Sequence, residues 1–323
     1  MNRRQLLTAA PALLATPALA QGAWPTRGSI RLIAQFPPGG LVDTMSRLVA
    51  PVMAQMLGQT VLVENRAGAG GVIGTDFVAK SPADGYTLLV SHASVHVFSA
   101  ATLPSMPFDP VTDFTHMGLL VEAANVLLVR AQSPIQSLAQ YIEMARRQPV
   151  RYGSSGIGSS PHMLGALLTD AARLTNLDHV PYRGSAPAMQ DLLANQIESM
   201  IDPITTNVAQ IREGSLRALA VSSPQRLPAF PNVPTFAELG FPTLTSSQWL
   251  GLSAPRGLPA EITQRLTAMI PQILSNPQLL QRAQELQTLP RNPIPLGEDF
   301  VNVIRREVAE WTAIARRYNI VAA

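Results

Sequence analysis

The first glycine-rich loop of the chain carries residue types that bind an anion. It reads Pro-Pro-Gly-Gly-Leu-Val-Asp at 37–43, between a predicted strand and a predicted helix. A glycine pair at a helix start leaves backbone N–H groups uncovered, and the helix dipole adds partial positive charge. Gly39 and Gly40 therefore predict a carboxylate or phosphate site. A tight turn in which Asp43 complements the helix N-terminus explains the same spacing equally well.

A second glycine-rich loop, Gly-Ala-Gly-Gly-Val-Ile-Gly at 68–74, resembles a dinucleotide-binding fingerprint. The spacing fails, because Ile73 takes the place of the third glycine of GxGxxG. In addition, no acidic residue ends a strand about 20 residues further on. We therefore interpret Gly70 and Gly71 as part of a second turn that faces an anion.

A third loop, the serine-glycine loop, reads YGSSGIGSS at 152–160 and offers hydroxyl and amide donors to an anion. No Gly-Lys-Ser/Thr follows it, which excludes a P-loop, and it lacks the G-x-S-x-G of a nucleophile elbow. His162 lies one turn into the next predicted helix. It is either a base for a catalytic serine or, as we favour, a structural or ligand-orienting group.

Further polar residues lie near the ends of predicted strands. Arg183 is either a clamp for a second carboxylate or a solvated surface residue. Asp202 either caps the helix after Pro203 or faces the ligand, where it would favour an ammonium or hydroxyl group. His92 and His96 have i,i+4 spacing but no HExxH motif, so we expect them to be loop residues and predict no metal site.

The elements that position these loops alternate along most of the chain. Strands are predicted at 29–36, 60–64, 86–91, 125–130, 150–153, 178–183, 197–202 and 216–223, and helices at 41–57, 71–81, 137–147, 160–174 and 185–195. This alternation favours an α/β fold with a mostly parallel sheet, whose ligands bind beyond the carboxyl ends of the strands. Three consecutive helices at 259–275, 277–287 and 297–318 fit best as a cover on an existing lobe.

The amino-acid composition limits the classes of protein to which this chain can belong. The 323 residues suffice for two domains, and 46% apolar with 14% charged residues is the balance of a globular chain. A net charge of +3 without a basic, aromatic-interleaved cluster argues against nucleic acid binding. The absence of cysteine excludes disulfides, thiolate metal sites and cysteine nucleophiles.

The N-terminus predicts export. Arg3 and Arg4 precede the apolar segment 6–15, and Ala18-Leu19-Ala20 offers small residues to a signal peptidase. We expect a signal peptide at 1–20, cleaved after Ala20, and a periplasmic mature protein. An ordinary N-terminal helix is the alternative. The segment 2–7 also resembles a twin-arginine signal, so the export route stays open.

Many segments together resemble the Bug-type (TctC-like) solute receptors of tripartite tricarboxylate transporters. The matching segments are IRLIAQFPPGGLVD (30–43), LGQTVLVENRAGAGGVIG (57–74), DGYTLL (84–89), NVLLVR (125–130), YGSSGIGSSPH (152–162), HVPYRGSAPAMQDLL (179–193), LRALAVSS (216–223), PNVPTFAELG (231–240) and QWLGLSAPRGLP (248–259). They cover about residues 24–320, and their shared order makes the resemblance specific.

The resemblance implies a two-lobed, type II-like periplasmic binding protein fold with two crossovers. These would lie near 123–126 and 246–251. Lobe 1 would contain residues 24–124 and 248–323, and lobe 2 would contain 125–247. The C-terminal helices would thus return to lobe 1.

The resemblance also implies a ligand site for a small carboxylate. Together with the loop patterns, it gives the candidate ligand-binding residues Phe36, Gly39, Gly40, Asp43, Gly70, Gly71, Ser91, Ser154, Ser155, Gly158, Ser159, His162, Arg183 and Asp202. This chain departs from the family pattern at Ile157, where a polar residue is common, and at Pro161 and Ala166. Ile157 indicates a more apolar ligand tail.

The expected function is a monomeric receptor without cofactor or catalysis that closes over a carboxylate by hinge motion. It would deliver this ligand to the membrane subunits of a tripartite tricarboxylate transporter. A sensor for a membrane kinase is an alternative with the same fold. An exported hydrolase using one of Ser154, Ser155 and His162 is another, although no third triad member is visible.

Overall fold

The computed structural model describes residues 24–321, so the predicted signal peptide at 1–20 and its cleavage site lie outside the described residues. The strands are β1 (Ile30–Ala34), β2 (Val61–Asn65), β3 (Thr87–His92), β4 (Phe114–Arg130), β5 (Val150–Ser154), β6 (Leu177–Pro181), β7 (Ser199–Pro203), β8 (Leu216–Val221), β9 (Ser247–Pro255) and β10 (Thr288–Leu289). The α-helices are α1 (Leu41–Leu57), α2 (Val72–Ala79), α3 (Ala100–Thr102), α4 (Leu138–Arg147), α5 (Ser160–Ala171), α6 (Ser185–Leu193), α7 (Val208–Arg212), α8 (Ala260–Leu274), α9 (Pro277–Glu285) and α10 (Glu298–Arg317). Short 3₁₀ turns lie at Ala69–Gly71, Ile204–Thr206 and Pro242–Leu244, and a π-helical turn lies at Ser94–Ser99.

Strand β4 belongs to two sheets in succession. Its residues 114–124 pair with β9, and its residues 125–130 pair with β7 and β8. The first half-sheet therefore has the order β2-β1-β3-β9-β4, with β10 also on β4. The second half-sheet has the order β4-β7-β5-β6, with β8 also on β4. The chain passes back from the second half-sheet at Ser246, whose N–H donates to Ser222, and Ser247, which pairs with Ala124.

The α/β, two-lobed prediction is confirmed, and the strand directions refine it. The trios β2-β1-β3 and β6-β5-β7 are parallel, as the alternation with helices requires. Strands β4 and β9 run antiparallel to each other and to the strands beside them. Their direction follows from connectivity, because β4 carries the chain out of the first half-sheet and β9 lies where it returns.

Helix α1 shows how the sequence positions the first loop. Met45, Val49 and Met53 recur at helical spacing, are fully buried and pack against the first half-sheet. The helix begins after Gly40 and ends at Gly58, whose φ of 65° places it in the left-handed region that favours glycine as a helix cap. The burial of the apolar face therefore fixes the direction in which the N-terminus of α1 points.

The C-terminal helices return to the first half-sheet. Leu266, Ile270 and Ile273 of α8 lie in the same buried cluster as the apolar residues of β1 and α1. Helix α10 contributes Phe300 and Trp311 to a second cluster around Trp249, Phe98 and Met163. Since Met163 belongs to α5, this second cluster joins α5 of the second half-sheet to the first half-sheet.

Two segments differ from the sequence-based expectation. The strand predicted at 125–130 begins eleven residues earlier, at Phe114. The prediction that His92 and His96 are loop residues is wrong: His92 ends β3, and His96 lies within the π-helical turn. Both side chains are buried.

Candidate functional site

A cavity of about 700 Å³ lies between the two half-sheets. Its walls come from loops that follow β1, β2 and β3 in the first half-sheet and β5, β6 and β7 in the second. These loops lie at the carboxyl ends of the parallel strands, the edge at which open α/β sheets bind ligands. Ala123 and Gln248, on the two crossing strands, form part of the wall between them.

The wall on the first half-sheet is built from a helix N-terminus and a glycine turn. Phe36, Gly40 and Gly70 line the cavity. The first turn of α1 leaves backbone N–H groups without intrahelical partners, and Gly40, Leu41 and Val42 of this turn line the cavity. Gly71 lies behind the turn at φ 100°, where a Cβ would come within 2.7 Å of Val95.

Asp43 secures the first loop from behind the cavity wall. Its carboxylate accepts hydrogen bonds from the Gly39 N–H at 3.0 Å, from Asn65 at 2.9 Å and from Arg47 at 3.1 Å. Burial opposes the charge of Asp43, but hydrogen bonds from Arg47, Gly39 and Asn65 outweigh burial and lower the pKa. Gly39 and Asp43 therefore hold the loop shape, while Gly40 meets the cavity.

The segment after β3 contributes polar residues that the sequence pattern did not indicate. Ser94, Ser99 and His92 line the cavity from the end of β3 and the π-helical turn. Ser91 does not line it: its hydroxyl accepts from Ser253 at 2.9 Å inside the sheet. The alternation of side chains along β3 explains why neighbouring residues separate in this way.

The serine-glycine loop lines the opposite wall. Ser155, Gly158 and Ser159 border the cavity, and Ser159 also caps α5 by accepting from the His162 N–H. Ser154 is fully buried instead, with its hydroxyl 2.7 Å from Nε2 of His179. The loop thus turns some of its hydroxyls toward the cavity and uses others to hold its own shape.

Two stacked histidines support this loop. The rings of His162 and His179 lie 3.8 Å apart between centroids and are nearly parallel. Nδ1 of His162 accepts the Gly158 N–H at 3.1 Å. Burial lowers the pKa of His162 to about 4, and burial with the neighbouring His162 lowers the pKa of His179 to about 3. Both rings are therefore neutral at pH 7.

This geometry disfavours a catalytic dyad. Nδ1 of His162 is occupied by Gly158, and Ser154, which contacts His179, is closed off from the cavity. Within residues 24–321, no carboxylate hydrogen-bonds either ring to act as a third triad member. The same residues include no cluster of three or more His, Cys, Asp or Glu side chains placed to hold a metal ion.

Asp202 lies behind the wall formed by the loops after β6 and β7. Its carboxylate accepts from Ser185 at 2.6 Å, from Thr206 at 2.5 Å and from Asn207 at 2.8 Å. Burial raises the pKa of Asp202 to about 6, against the opposing effect of these hydrogen bonds. Ser185 and Thr206 themselves line the cavity. Arg183, in contrast, is exposed and lies outside the lining.

The cavity walls carry no ionic side chain among the residues that the structure describes. Apolar surface from Leu41, Leu103 and Ile157 alternates with hydroxyls and backbone amides. Ile157 is 49% exposed, in keeping with its place on an open wall. No helix within 24–321 has the length and apolar character to cross a membrane.

Comparison with known proteins places this fold and cavity in a family. Protein BugT of Bordetella pertussis is 35% identical over 326 residues, covering 98% of each chain. A solved Rhodopseudomonas palustris structure with adipate superposes with a TM-score of 0.80 at 31% identity, covering 92% of this chain and 99% of that one. MatC from the same organism, solved with malate, gives 0.76 at 31% identity, covering 90% and 99%. The profile of the tripartite tricarboxylate transporter family receptor matches residues 45–320, and the chain therefore belongs to that family.

Proposed function

We propose that the protein is a periplasmic receptor that captures a small carboxylate between its two lobes and delivers it to the membrane subunits of a tripartite tricarboxylate transporter. One observation carries this proposal: helix N-termini and amide-rich loops from both half-sheets converge on one cavity. Such termini favour anions through free N–H groups and the helix dipole. The family and the neighbours solved with malate and adipate support the same ligand class.

The architecture supports capture by hinge closure. We assign lobe 1 to residues 24–124 and 248–323 and lobe 2 to 125–247, so that the two crossings at 124–125 and 246–248 form the hinge. The carboxylate first meets the N-terminus of α1, and the serine-glycine loop then closes over it. Backbone amides suit this role, because they are already ordered and lose little entropy when the ligand binds.

Export and partners follow from the family rather than from the cavity. A signal peptide at 1–20 would release the mature chain into the periplasm, where a monomeric receptor can meet its membrane subunits. A sensor that signals to a membrane kinase uses the same capture step. The hydrolase alternative has no observation in its favour, since Ser154 is buried and His162 is occupied by Gly158.

The first experiment is a thermal-shift screen of residues 21–323 against carboxylates from C4 to C6, citrate, acidic amino acids and aromatic acids. A ligand at about 100 times its Kd should stabilise the fold by about 2.7 kcal/mol. For a protein of this size we expect a rise in Tm of a few degrees for one acid, without its turnover. Matched neutral amides of the same acids serve as controls.

Two results would contradict the proposal. Consumption of the stabilising acid would indicate an enzyme instead of a receptor. The absence of any shift, repeated after bound ligand has been released by unfolding and refolding, would count against carboxylate capture.

A further inference from the structure

The wall formed by Ser185 and Thr206 differs in character from the rest of the cavity. Both hydroxyls line it, and both donate to the buried carboxylate of Asp202. Each hydroxyl has one proton. Because that proton is donated in the hydrogen bond to Asp202, the hydroxyl oxygen can only accept hydrogen bonds from a ligand. Oγ1 of Thr206 already accepts one, from Nδ2 of Asn207 at 2.9 Å. A second acceptor near Thr206, the carbonyl of Pro203 at 2.9 Å, holds the same proton away from the cavity.

Gln248 extends this acceptor surface along the crossing strand. Nδ2 of Asn125 donates to Ser160 at 2.5 Å, so Oδ1 of Asn125 accepts from Nε2 of Gln248 at 3.2 Å. One of the two N–H protons on Nε2 of Gln248 is thereby committed to the protein. Its Oε1 adds a further hydrogen-bond acceptor to this residue of the cavity wall.

Charge acts in the same direction as hydrogen bonding. The contacts of Asp202 are Ser185, Thr206 and Asn207, which are all neutral, so its charge is not neutralised by a cation among them. The pKa of about 6 keeps Asp202 ionised at pH 7.5. Its negative charge lies beside the N-terminus of α6 and offsets the positive end of that helix dipole.

At the cavity walls formed by the N-termini of α1 and α5, no unpaired negative charge among the described residues offsets the helix dipole. At α1, Asp43 is paired with Arg47 at 2.9 Å, so the pair is neutral overall. The first turn of α5, which the serine-glycine loop enters, contains no acidic residue. The cavity is therefore polarised, with donors at the α1 and α5 ends and acceptors backed by a negative charge at the Ser185–Thr206 wall.

We propose that the ligand is a carboxylate that carries a hydrogen-bond donor, an ammonium or a hydroxyl group, at the end that faces Ser185 and Thr206. This inference rests on the proposed carboxylate capture and narrows its ligand class. A second carboxylate at that wall would meet lone pairs and the charge of Asp202. An alkyl end would leave the acceptors without partners, which costs binding free energy.

The test is a matched series measured by calorimetry at pH 7.5. It compares pentanoate, glutarate, 5-hydroxypentanoate and 5-aminopentanoate, with the four- and six-carbon analogues to cover ligand length. We expect a donor-terminated acid to bind at least tenfold more tightly than the alkyl acid and the dicarboxylate of equal length. A larger gain for the amine than for the hydroxyl would assign the preference mainly to the charge of Asp202, and equal gains would assign it to the lone pairs.

Asp202→Asn provides a variant with a distinctive outcome. An Asn side chain donates as well as accepts, so one of the two hydroxyl protons turns toward the cavity. The preference for the donor-terminated acid over the dicarboxylate should fall at least tenfold. Ser185→Ala, which removes one acceptor, should weaken only the donor-terminated acids, by about threefold to tenfold. If Asp202→Asn fails to fold, Ser185→Ala still tests whether the cavity prefers donor-terminated acids.

Ser275→Ala, an exposed serine at the end of α8, is the control and should change no affinity. Tighter binding of the dicarboxylate, with its preference unchanged in Asp202→Asn or Ser185→Ala, would overturn the donor inference and leave carboxylate capture intact. Failure of every acid in the series to bind would overturn the donor inference, and carboxylate capture would fall with it only if the wider thermal-shift screen is also negative.

Discussion

Ser154 and Ser155 are neighbours in sequence with different tasks. Ser155 borders the cavity, whereas Ser154 is fully buried and bonds to His179 and to Gly156. The strand β5 ends at Ser154, so its side chain still follows the inward alternation of the strand. Ser155 is the first residue free of that alternation. One of the two serines thus borders the cavity, and the other shapes the loop.

We expect Ser155→Ala to weaken ligand binding by about 0.5–1.5 kcal/mol, or roughly twofold to tenfold in Kd, because one hydrogen bond is lost. Its Tm should stay within about a degree of the parent. Ser154→Ala should lower the Tm as well as the affinity, because it leaves buried partners unpaired. Calorimetry and thermal melting of both variants, with Ser275→Ala as control, check this. Unchanged affinity in the double variant would contradict the role of this loop.

At the scale of elements, the close packing of α5 against β5 requires a glycine at position 165. Gly165 faces the ring of Tyr152 so closely that an added Cβ would overlap it. The hydroxyl of Tyr152 in turn donates to the carbonyl of His162 at 3.3 Å, and its ring packs beside His179. The close approach of α5 to β5 therefore holds the stacked histidines under the serine-glycine loop.

Gly165→Ala should destabilise the protein by about 1–3 kcal/mol through overpacking. The sign of this change in the free energy of unfolding is informative, because a glycine-to-alanine substitution in an exposed helix would stabilise the protein by about 1 kcal/mol. Urea denaturation measures the change. Adding Tyr152→Leu removes the ring and should restore part of the loss. A stabilised single variant would show that α5 does not approach β5 this closely.

The sequence predicted those elements whose signals are local. Helix α1 has helical periodicity and a glycine cap, and α5 has Ser159 as its N-cap followed by proline, so their ends lie within a few residues of the prediction. Residues 114–124 were missed as strand, because they pair with β9 across more than a hundred residues of chain. The π-helical turn at 94–99 was missed because its apolar residues follow neither period.

The same limit applies to the cavity. The glycine and serine loops were recognisable, because donors at helix starts are a local pattern. Gln248 and Thr206 were not, since they reach the cavity only through the crossing strand and a 3₁₀ turn. Asp43, Ser91 and Asp202 were named as candidates, and the structure places them behind the wall, which depends on side-chain direction and packing.

At the scale of the whole molecule, α5 links the ligand to the lobe interface. Its N-terminus borders the cavity, and Met163 packs into the cluster around Trp249 and α10. Asp170 near its C-terminus pairs with Arg317 of α10 at 2.8 Å. The proposed hinge closure would move α5 against α10, and packing behind the hinge would then contribute to the balance between open and closed forms.

The histidines of the chain couple the whole fold to pH. All five have a lowered pKa: to about 4 for His92, His116 and His162, to about 3 for His179, and well below the usual value for His96. Burial is the leading cause in each case. In the unfolded chain the histidines bind protons near pH 6.5, whereas in the folded chain they do so only at lower pH. Acidification therefore favours unfolding.

Two buried acids oppose this effect. Burial raises the pKa of Asp202 to about 6 and that of Glu307 to about 7, so these groups stabilise the fold at acidic pH and lose that contribution as pH rises. For His92 and His116, a shift from 6.5 to about 4 corresponds to about 3 kcal/mol each. Five histidines outweigh two acids, so stability should decline on acidification.

We therefore expect the free energy of unfolding to fall by several kcal/mol between pH 7.5 and pH 4.5. Urea denaturation at half-unit steps of pH measures it. His116→Asn removes one fully buried titrating ring, so its stability should depend less steeply on pH, by up to about 1.4 kcal/mol per pH unit near pH 5. A parent stability that rises or stays constant over this range would show that the acids, rather than the histidines, dominate the proton balance of the fold.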